Sequence, residues 1–548
     1  MTDDVLIVGA GPTGLTLAIE LARRGVGVRI VDAAPVPHRE SRGKGLQPRT
    51  LEVLEDVGGT ERVLATGTTR LPFRKYFDGK HVNDTDPFAD ARPTPDAPYE
   101  RGVLIGQWQV EEILRERLAE FGVGVRLGTE VAEFEQDMDG VTAALADGER
   151  IRAGYLVGCD GGRSRVRKVL GVRFDGTTEE TQSMVVGDVR AEGIGRDVWH
   201  QWFTSDGGGL ALCPMPGTDS FQLQASPELG ADGEPLPPSL ESFQRIFDRY
   251  ARVPGVTLTN PTWLSVWRVN VRMVDRMRVG RVLLAGDAAH VHPIAGGLGM
   301  NTGIQDAYNL GWKLALVAGG QAGPGLLDTY EEERLPVAAW TLGVSTDLYA
   351  RVLEAVKEPG TGIEVAAPPP MGTGYRWSSL AGPADDSAGS VDSVGVGAVG
   401  VGAVGVGAVG VGAVGVGAVG VGAVGDPAVL RPGDRAPDAP CLDASGHPVR
   451  LFQVYADPRF TLLGFGAEVA DAVGKLAVEH EGLLQAFTVA DPHDLRDHEG
   501  HARRAYGVTD PAPALVLVRP DNHVALFTRD PAEVTDYLSR IATLPPKE

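Results

Sequence analysis

Cysteine is scarce. Only three occur in 548 residues, Cys159, Cys213 and Cys441, far apart and without a C-x-x-C pair. So small, odd and scattered a set argues against a disulfide framework and against a thiolate metal site, and it suits a reducing cytoplasm. Basic charge is short as well: 51 Lys and Arg face 73 Asp and Glu, a formal charge of −22. Without clustered cations to neutralise phosphates, nucleic acid is not an expected partner. The first residues, MTDDVLIVGAG, put acids where a secretory signal needs bases, and a strand-like run in place of its apolar core. Long apolar stretches are missing with one exception. Residues 394–425 read VGVGA six times over, then Val424-Gly425. Each Gly costs a helix about 1 kcal/mol relative to Ala, and β-branched Val adds to that. No basic cluster or aromatic belt flanks the run. It is expected to be a flexible, elastin-like linker over 386–427, not a membrane span.

What is present begins with a strand–turn–helix–strand unit. Val5–Val8 is a short apolar strand, and Leu15, Ala18, Leu21 and Ala22 then recur at helical spacing. Arg23 and Arg24 close the helix and Gly25 stops it. Val28–Val31 is the next strand, ending in Asp32. Tyr155–Cys159 and Arg281–Ala285 read as further strands that lead into loops. The region 184–271 differs: Trp199–Phe203, Leu210–Cys213 and Phe221–Gln224 suggest antiparallel strands. Helical patterns follow over Ile304–Ala318 and Leu326–Leu353. After the linker, Phe460–Gly464, Leu484–Val489, Ala514–Val518 and Val524–Phe527 predict a small α/β domain. At roughly 150 residues per domain the length allows about three units. The expected order is a nucleotide domain over 1–183, with some substrate-domain segments near 70–105, and a β-rich insert over 184–271. Then come the rest of the nucleotide domain with a helical segment (272–385), the linker, and the C-terminal domain (428–548).

Three glycine-rich turns carry the chemistry. Gly9-x-Gly11-x-x-Gly14 lies between strand and helix, the context a dinucleotide fingerprint requires. Its glycines permit a tight turn and close approach of a pyrophosphate to the helix N-terminus. Pro12 and Thr13 fill the first helical turn, and Asp32 can accept hydrogen bonds from an adenosine ribose. This motif does not separate NAD from FAD. The other two are Cys159-Asp160-Gly161-Gly-Arg-Ser-Arg-Val-Arg167 and Arg281-Val-Leu-Leu-Ala-Gly-Asp287-Ala-Ala-His290, the latter followed by His292-Pro293-Ile294-Ala-Gly296-Gly297-Leu-Gly299-Met300-Asn301.

In these motifs the chain resembles the FAD-dependent class A aromatic hydroxylases, the p-hydroxybenzoate hydroxylase family. It is closest in pattern to the longer phenol-type and aromatic-polyketide hydroxylases. The resemblance implies an α/β fold: a Rossmann-like FAD-binding domain, an inserted β-rich substrate domain and a thioredoxin-like C-terminal domain. It implies that Asp160 and Gly161 serve FAD and NADPH, and that Asp287 contacts the ribityl chain. Pro293, Ile294, Gly296, Gly297, Gly299, Met300 and Asn301 would lie along the isoalloxazine. The family usually reads HPPxGGQGMN there, so Ile294 and Leu298 depart from it. The stretch Ser41-Arg42-Gly-Lys-Gly-Leu-Gln-Pro-Arg49 resembles RAxGLxxRT, which puts Arg42 in the place of a flavin-contacting arginine. Gln107 stands where the family has a glutamine near the FAD diphosphate. Trp202, Phe203, Gln222 and Ile294 are the candidate substrate-facing residues. His290 and His292, two apart with no third ligand beside them, favour a structural or flavin-adjacent role over a metal.

The implied reaction consumes NADPH and O2. A flavin C4a-hydroperoxide passes one oxygen to an aromatic substrate, and the protein supplies orientation and water exclusion. Baeyer–Villiger oxidation of a polycyclic polyketide is the alternative outcome, and a non-catalytic flavoprotein scaffold the alternative class. Halogenation is disfavoured because no W-x-W-x-I-P stretch occurs. A C-terminal domain with Cys441 alone lacks the pair that thiol exchange needs, so packing or a homodimer contact is its expected role.

Overall fold

The computed structural model describes residues 3–86, 89, 91–293, 297–357, 374–383, 430–508 and 513–546. Ile294, Gly296 and the expected linker at 386–427 lie outside the described residues. The chain divides into two compact units. One comprises Met1–Pro93, Tyr99–Gly319 and Thr341–Met371; the other comprises Thr94–Pro98, Gly320–Trp340 and Gly372–Glu548.

The first unit holds two eight-stranded sheets and a two-stranded one. In the first sheet Asp3–Val8 is central, with Val28–Val31 and Arg150–Gly158 parallel on either side. Val282–Leu284 continues the parallel order beyond Arg150–Gly158, and Val125–Arg126 beyond Val28–Val31. Val5, Leu6 and Ile7 are at most 1% exposed. Parallel strands are covered on both faces, so they read as unbroken apolar runs. The helix Pro12–Ala22 starts within the fingerprint, directly after Gly11, with proline in its first turn, and Gly25 at φ 75° turns the chain back towards Val28.

The second sheet runs in the order His290–Val291, Thr257–Val274, Phe174–Glu192, Ser220–Ala225, Gly209–Pro214, Trp199–Phe203, Phe73–Phe77, Lys80–Thr85. Neighbours are antiparallel except Trp199–Phe203 beside Phe73–Phe77. The region read as β-rich also contains a helix, Leu240–Ala251, capped by Ser239. Its Phe243, Ile246, Phe247 and Tyr250 fall at i, i+3, i+4 and i+7 and pack with Trp202, Leu212 and Leu223. The helical period stands in the sequence, but the aromatic content of the region favours a strand reading.

The second unit is built on a seven-stranded sheet. Phe460–Phe465 pairs parallel with Leu484–Val489 and antiparallel with Ala514–Val518, which pairs antiparallel with Val524–Thr528. The four strands expected from the sequence are therefore neighbours here. Cys441 is buried in this core, and burial pushes its thiol up to about 12. Among the described residues no helix is long and apolar enough to cross a membrane.

Candidate functional site

The glycine turns converge at the carboxyl ends of Asp3–Val8, Arg150–Gly158 and Val282–Leu284. The three fingerprint glycines have different causes. A Cβ on Gly9 would lie 2.3 Å from the Cys159 carbonyl oxygen, and one on Gly14 would lie 2.0 Å from the Gly9 oxygen. Those two are demanded by the protein's own packing. A Cβ on Gly11 would meet nothing within 4 Å. Gly11 also has no side chain to cap the helix, so the first N–H groups of Pro12–Ala22 are left for a ligand. Gly161, at φ 78°, and Gly297, at φ 62°, likewise face open space. A cradle of this kind fits a flat, phosphorylated cofactor.

Asp32 ends the second strand as the sequence suggests. Its Oδ2 accepts from the Ala10 N–H at 2.7 Å and its Oδ1 from the Ala34 N–H at 2.8 Å, fastening the fingerprint loop. Asp160 accepts from Ser164 Oγ at 2.5 Å and from the N–H groups of Arg165 and Val166 at 2.6 and 3.0 Å. It thus stabilises the N-terminus of the short helix Arg165–Leu170. Arg167 ties two turns together, donating to the carbonyls of Gly162 and Ala288 at 2.8 Å each.

Thr13 joins the fingerprint to the Gly286 turn: Cβ atoms on Gly286 and Gly303 would lie 2.6 and 2.4 Å from its Oγ1. Asp287 occupies this turn, in the one-turn 3-10 helix Gly286–Ala288. Its side chain reaches solvent, yet protein encloses it on the scale of a cleft. That enclosure pushes its carboxyl up, against the attraction of His290 and Arg42. Arg42 is exposed, 3.3 Å from His38 Nδ1. Gln107 accepts from the Gly43 N–H at 3.2 Å and donates to Glu111 at 2.9 Å. Asn301 is spent on backbone: it accepts from Gln47 N–H at 2.7 Å and donates to Gly297 and Gly45 carbonyls at 2.7 and 3.2 Å. Pro293 is buried, while Gly299 and Met300 are half-buried at the start of the helix Gly299–Ala318.

Of the candidate substrate residues, Gln222 reaches the Ser41–Leu46 segment, accepting from Lys44 Nζ and donating to the Ser41 carbonyl. Trp202 does not reach it. It is fully buried, stacked 5.0 Å from Tyr76 and edge-on to Phe247 at 5.7 Å. Phe203 is half-buried at the far end of the same strand.

Two participants escaped the sequence reading. Asp306, fully buried in Gly299–Ala318, accepts from the Gly286 N–H at 3.0 Å and pairs with His290 Nε2 at 2.7 Å. The available signal was the one acidic residue of that helix. Lys44, between two glycines, is the other. His292 is held neutral: burial, then His290, pushes it down to about 4. Among the described residues no group of three or more His, Cys, Asp or Glu is placed to hold a metal ion.

Residues 2–344 match the FAD binding domain model, and 430–545 match the aromatic-ring hydroxylase C-terminal model. The chain belongs to the FAD-dependent aromatic-ring hydroxylases. A flavin-dependent monooxygenase of Mycobacteroides abscessus is 40% identical over 98% of this chain and 99% of its own. The 6-methylpretetramide 4-monooxygenase of Streptomyces rimosus is 36% identical over 95% of this chain and 90% of its own. Aklavinone-11 hydroxylase, solved with FAD and aklavinone, aligns with a TM-score of 0.77 at 29% identity, over 99% of each chain. As a member of this hydroxylase family, the protein is an FAD-dependent monooxygenase.

Proposed function

We propose that this hydroxylase inserts one oxygen atom from O2 into a phenolic or polyketide ring, at the expense of NADPH. The observation that carries the reading is the cradle around Gly11, Gly161, Gly297 and Asp287, which is open where the surrounding glycines are tightly packed. When bound, FAD would carry electrons from NADPH to O2, the oxidant of the reaction. The chain's residues supply the rest. The free N–H groups after Gly11 face the pyrophosphate, and Asp32 keeps lone pairs for the ribose. Asp287 accepts from the ribityl hydroxyls, with Arg42 and Gln107 beside it. Asp160 and Gly161 shape the turn below. Pro293 and Gly297, with Gly299, Met300 and Asn301 at the start of the following helix, would lie along the isoalloxazine, where helix N–H groups offset negative charge. The sheet from Phe174 to Val274, with strands Phe73–Phe77 and Lys80–Thr85, provides the substrate wall.

The test is mass spectrometry of products after incubation with NADPH and 18O2, across simple phenols and polycyclic polyketide phenols. One labelled oxygen on a ring carbon is the expected result. A labelled lactone would mean Baeyer–Villiger insertion, and NADPH loss with peroxide alone for every phenol would count against the substrate class.

A further inference from the structure

Among the described residues Lys44 is a cation that makes no ion pair. It lies on the strand Lys44–Leu46, half-buried at its surface but deeply enclosed by protein. Four strands of the second sheet converge on it. Its ammonium donates to Gln222 and sits 4.3 Å from the centre of the Trp199 ring. Cys213 and Asp188 are the titratable groups that face it. Neither forms an ion pair with it among the described residues. Cys213 is a buried thiol pushed up to about 11, and Asp188 Oδ2 is engaged by the Ser41 N–H at 2.7 Å. Burial pushes Lys44 down from its ordinary value.

A ring face and a neutral amide compensate a buried ammonium only in part; a cation–π contact contributes roughly 0.5–2 kcal/mol. Such a cation is strongly favoured by an anion that fits beside it. Its chain neighbour Gly43 faces the cofactor cradle: a Cβ there would lie 3.1 Å from Gln107 and 3.8 Å from the Met300 methyl. The ammonium therefore lies on the sheet side of a segment that also borders residues assigned to the flavin.

We propose that Lys44, steadied by Gln222 and the Trp199 face, is the seat for an ionised substrate oxygen, so that this enzyme takes its substrate as a phenolate. The inference rests on the proposed hydroxylase reading and deepens it. An ionised ring oxygen raises electron density at the ortho and para carbons, which is what electrophilic oxygen insertion requires. One fixed oxygen also limits which of those carbons faces the flavin, so Lys44 contributes to regiochemistry.

Alizarin is a suitable probe, a polycyclic phenol whose neutral and anionic forms differ in colour in a range clear of the flavin. Wild type, Lys44→Met and Lys44→Arg are titrated with it as purified holoenzymes, at a pH where the free dye is mostly neutral. Flavin content is measured separately. Wild type and Lys44→Arg are expected to bind the coloured anion, and Lys44→Met to bind at least tenfold more weakly or as the neutral form. All three should retain equal FAD. Neutral dye on wild type, no dye binding by wild type, or anion bound equally well by Lys44→Met would overturn the proposal. Absence of FAD from wild type would instead strike the flavin reading, while the dye's colour would still report on Lys44.

Discussion

At single residues, glycine positions separate packing from ligand binding. Gly14 has no room for a methyl group, since its Cβ would lie 2.0 Å from a backbone oxygen. Gly14→Ala should therefore destabilise the apoprotein by several kcal/mol or prevent folding. Gly11 has room and an ordinary φ of −73°. Gly11→Val should leave the apoprotein melt within about 1 kcal/mol of wild type and yet abolish flavin retention. Thermal melts of apoprotein and flavin absorbance after gel filtration check both; normal flavin content in Gly11→Val would remove Gly11 from the cofactor site. Asp287 makes the complementary case. Its carboxyl is pushed up, so its charged form is disfavoured in the folded apoprotein. Stability then falls as pH rises from the ordinary carboxylate range through the raised value. Asp287→Asn should give an apoprotein at least as stable at neutral pH, but one that loses FAD on dialysis. A variant that holds FAD like wild type would refute the ribityl contact.

At the scale of elements, the helix Gly299–Ala318 does more than follow the loop. Gly311 lets it cross the helix Pro12–Ala22 closely, since a Cβ there would lie 2.5 Å from Glu20 Cβ. Tyr308 donates to Asp56 on the helix Pro48–Val57, and Arg23 donates to the Asp56 carbonyl at 3.3 Å. Burial, opposed by Arg23 and the Tyr308 hydrogen bond, pushes the Asp56 carboxyl up to about 7. The folded protein thus holds this proton where the unfolded chain has released it. The associated stability is lost as pH climbs from about 4 to about 7. Asp56→Asn should flatten that part of the profile of melting temperature against pH, a change on the order of a few kcal/mol. An unchanged profile would show that Asp56 titrates as an ordinary carboxylate.

At the scale of the molecule, the hydroxylase carries a second unit with one cysteine. Cys441 is buried, far above its ordinary titration range and without a C-x-x-C partner. The unit is held by a buried ion-pair cluster: Arg519 meets Glu333 at 2.6 Å and Asp521 at 2.6 Å. Glu333 precedes the VGVGA run in the chain and Arg519 follows it, so the unit is assembled from both sides of the repeat. Deleting residues 394–425 removes only low-complexity sequence. Flavin content and product formation are expected to stay within about twofold of wild type. Collapse of either would mean that the repeat takes part in the reaction or in assembly.

Local pattern was enough for much of this protein. The strands around the fingerprint, the strands of the second unit and the glycine turns are legible because their causes are local: apolar runs, turn residues, a strand followed by a helix. The helix Leu240–Ala251 carries its own local signal, apolar residues at i, i+3, i+4 and i+7 behind Ser239, but the aromatic content of the region favours a strand reading. Asp306 lies 16 residues from the histidine it pairs with, and Lys44 lies 178 residues from Gln222. No periodicity links such positions. Likewise, Gly9, Gly11 and Gly14 read alike as letters, and only the approach of Cys159 shows that Gly9 is needed by the fold while Gly11 is left open for a ligand. The sequence determined which turns exist and what family they serve. Tertiary packing decided which of their atoms are spent on the protein and which remain free for cofactor and substrate, because that depends on neighbours brought in from distant parts of the chain.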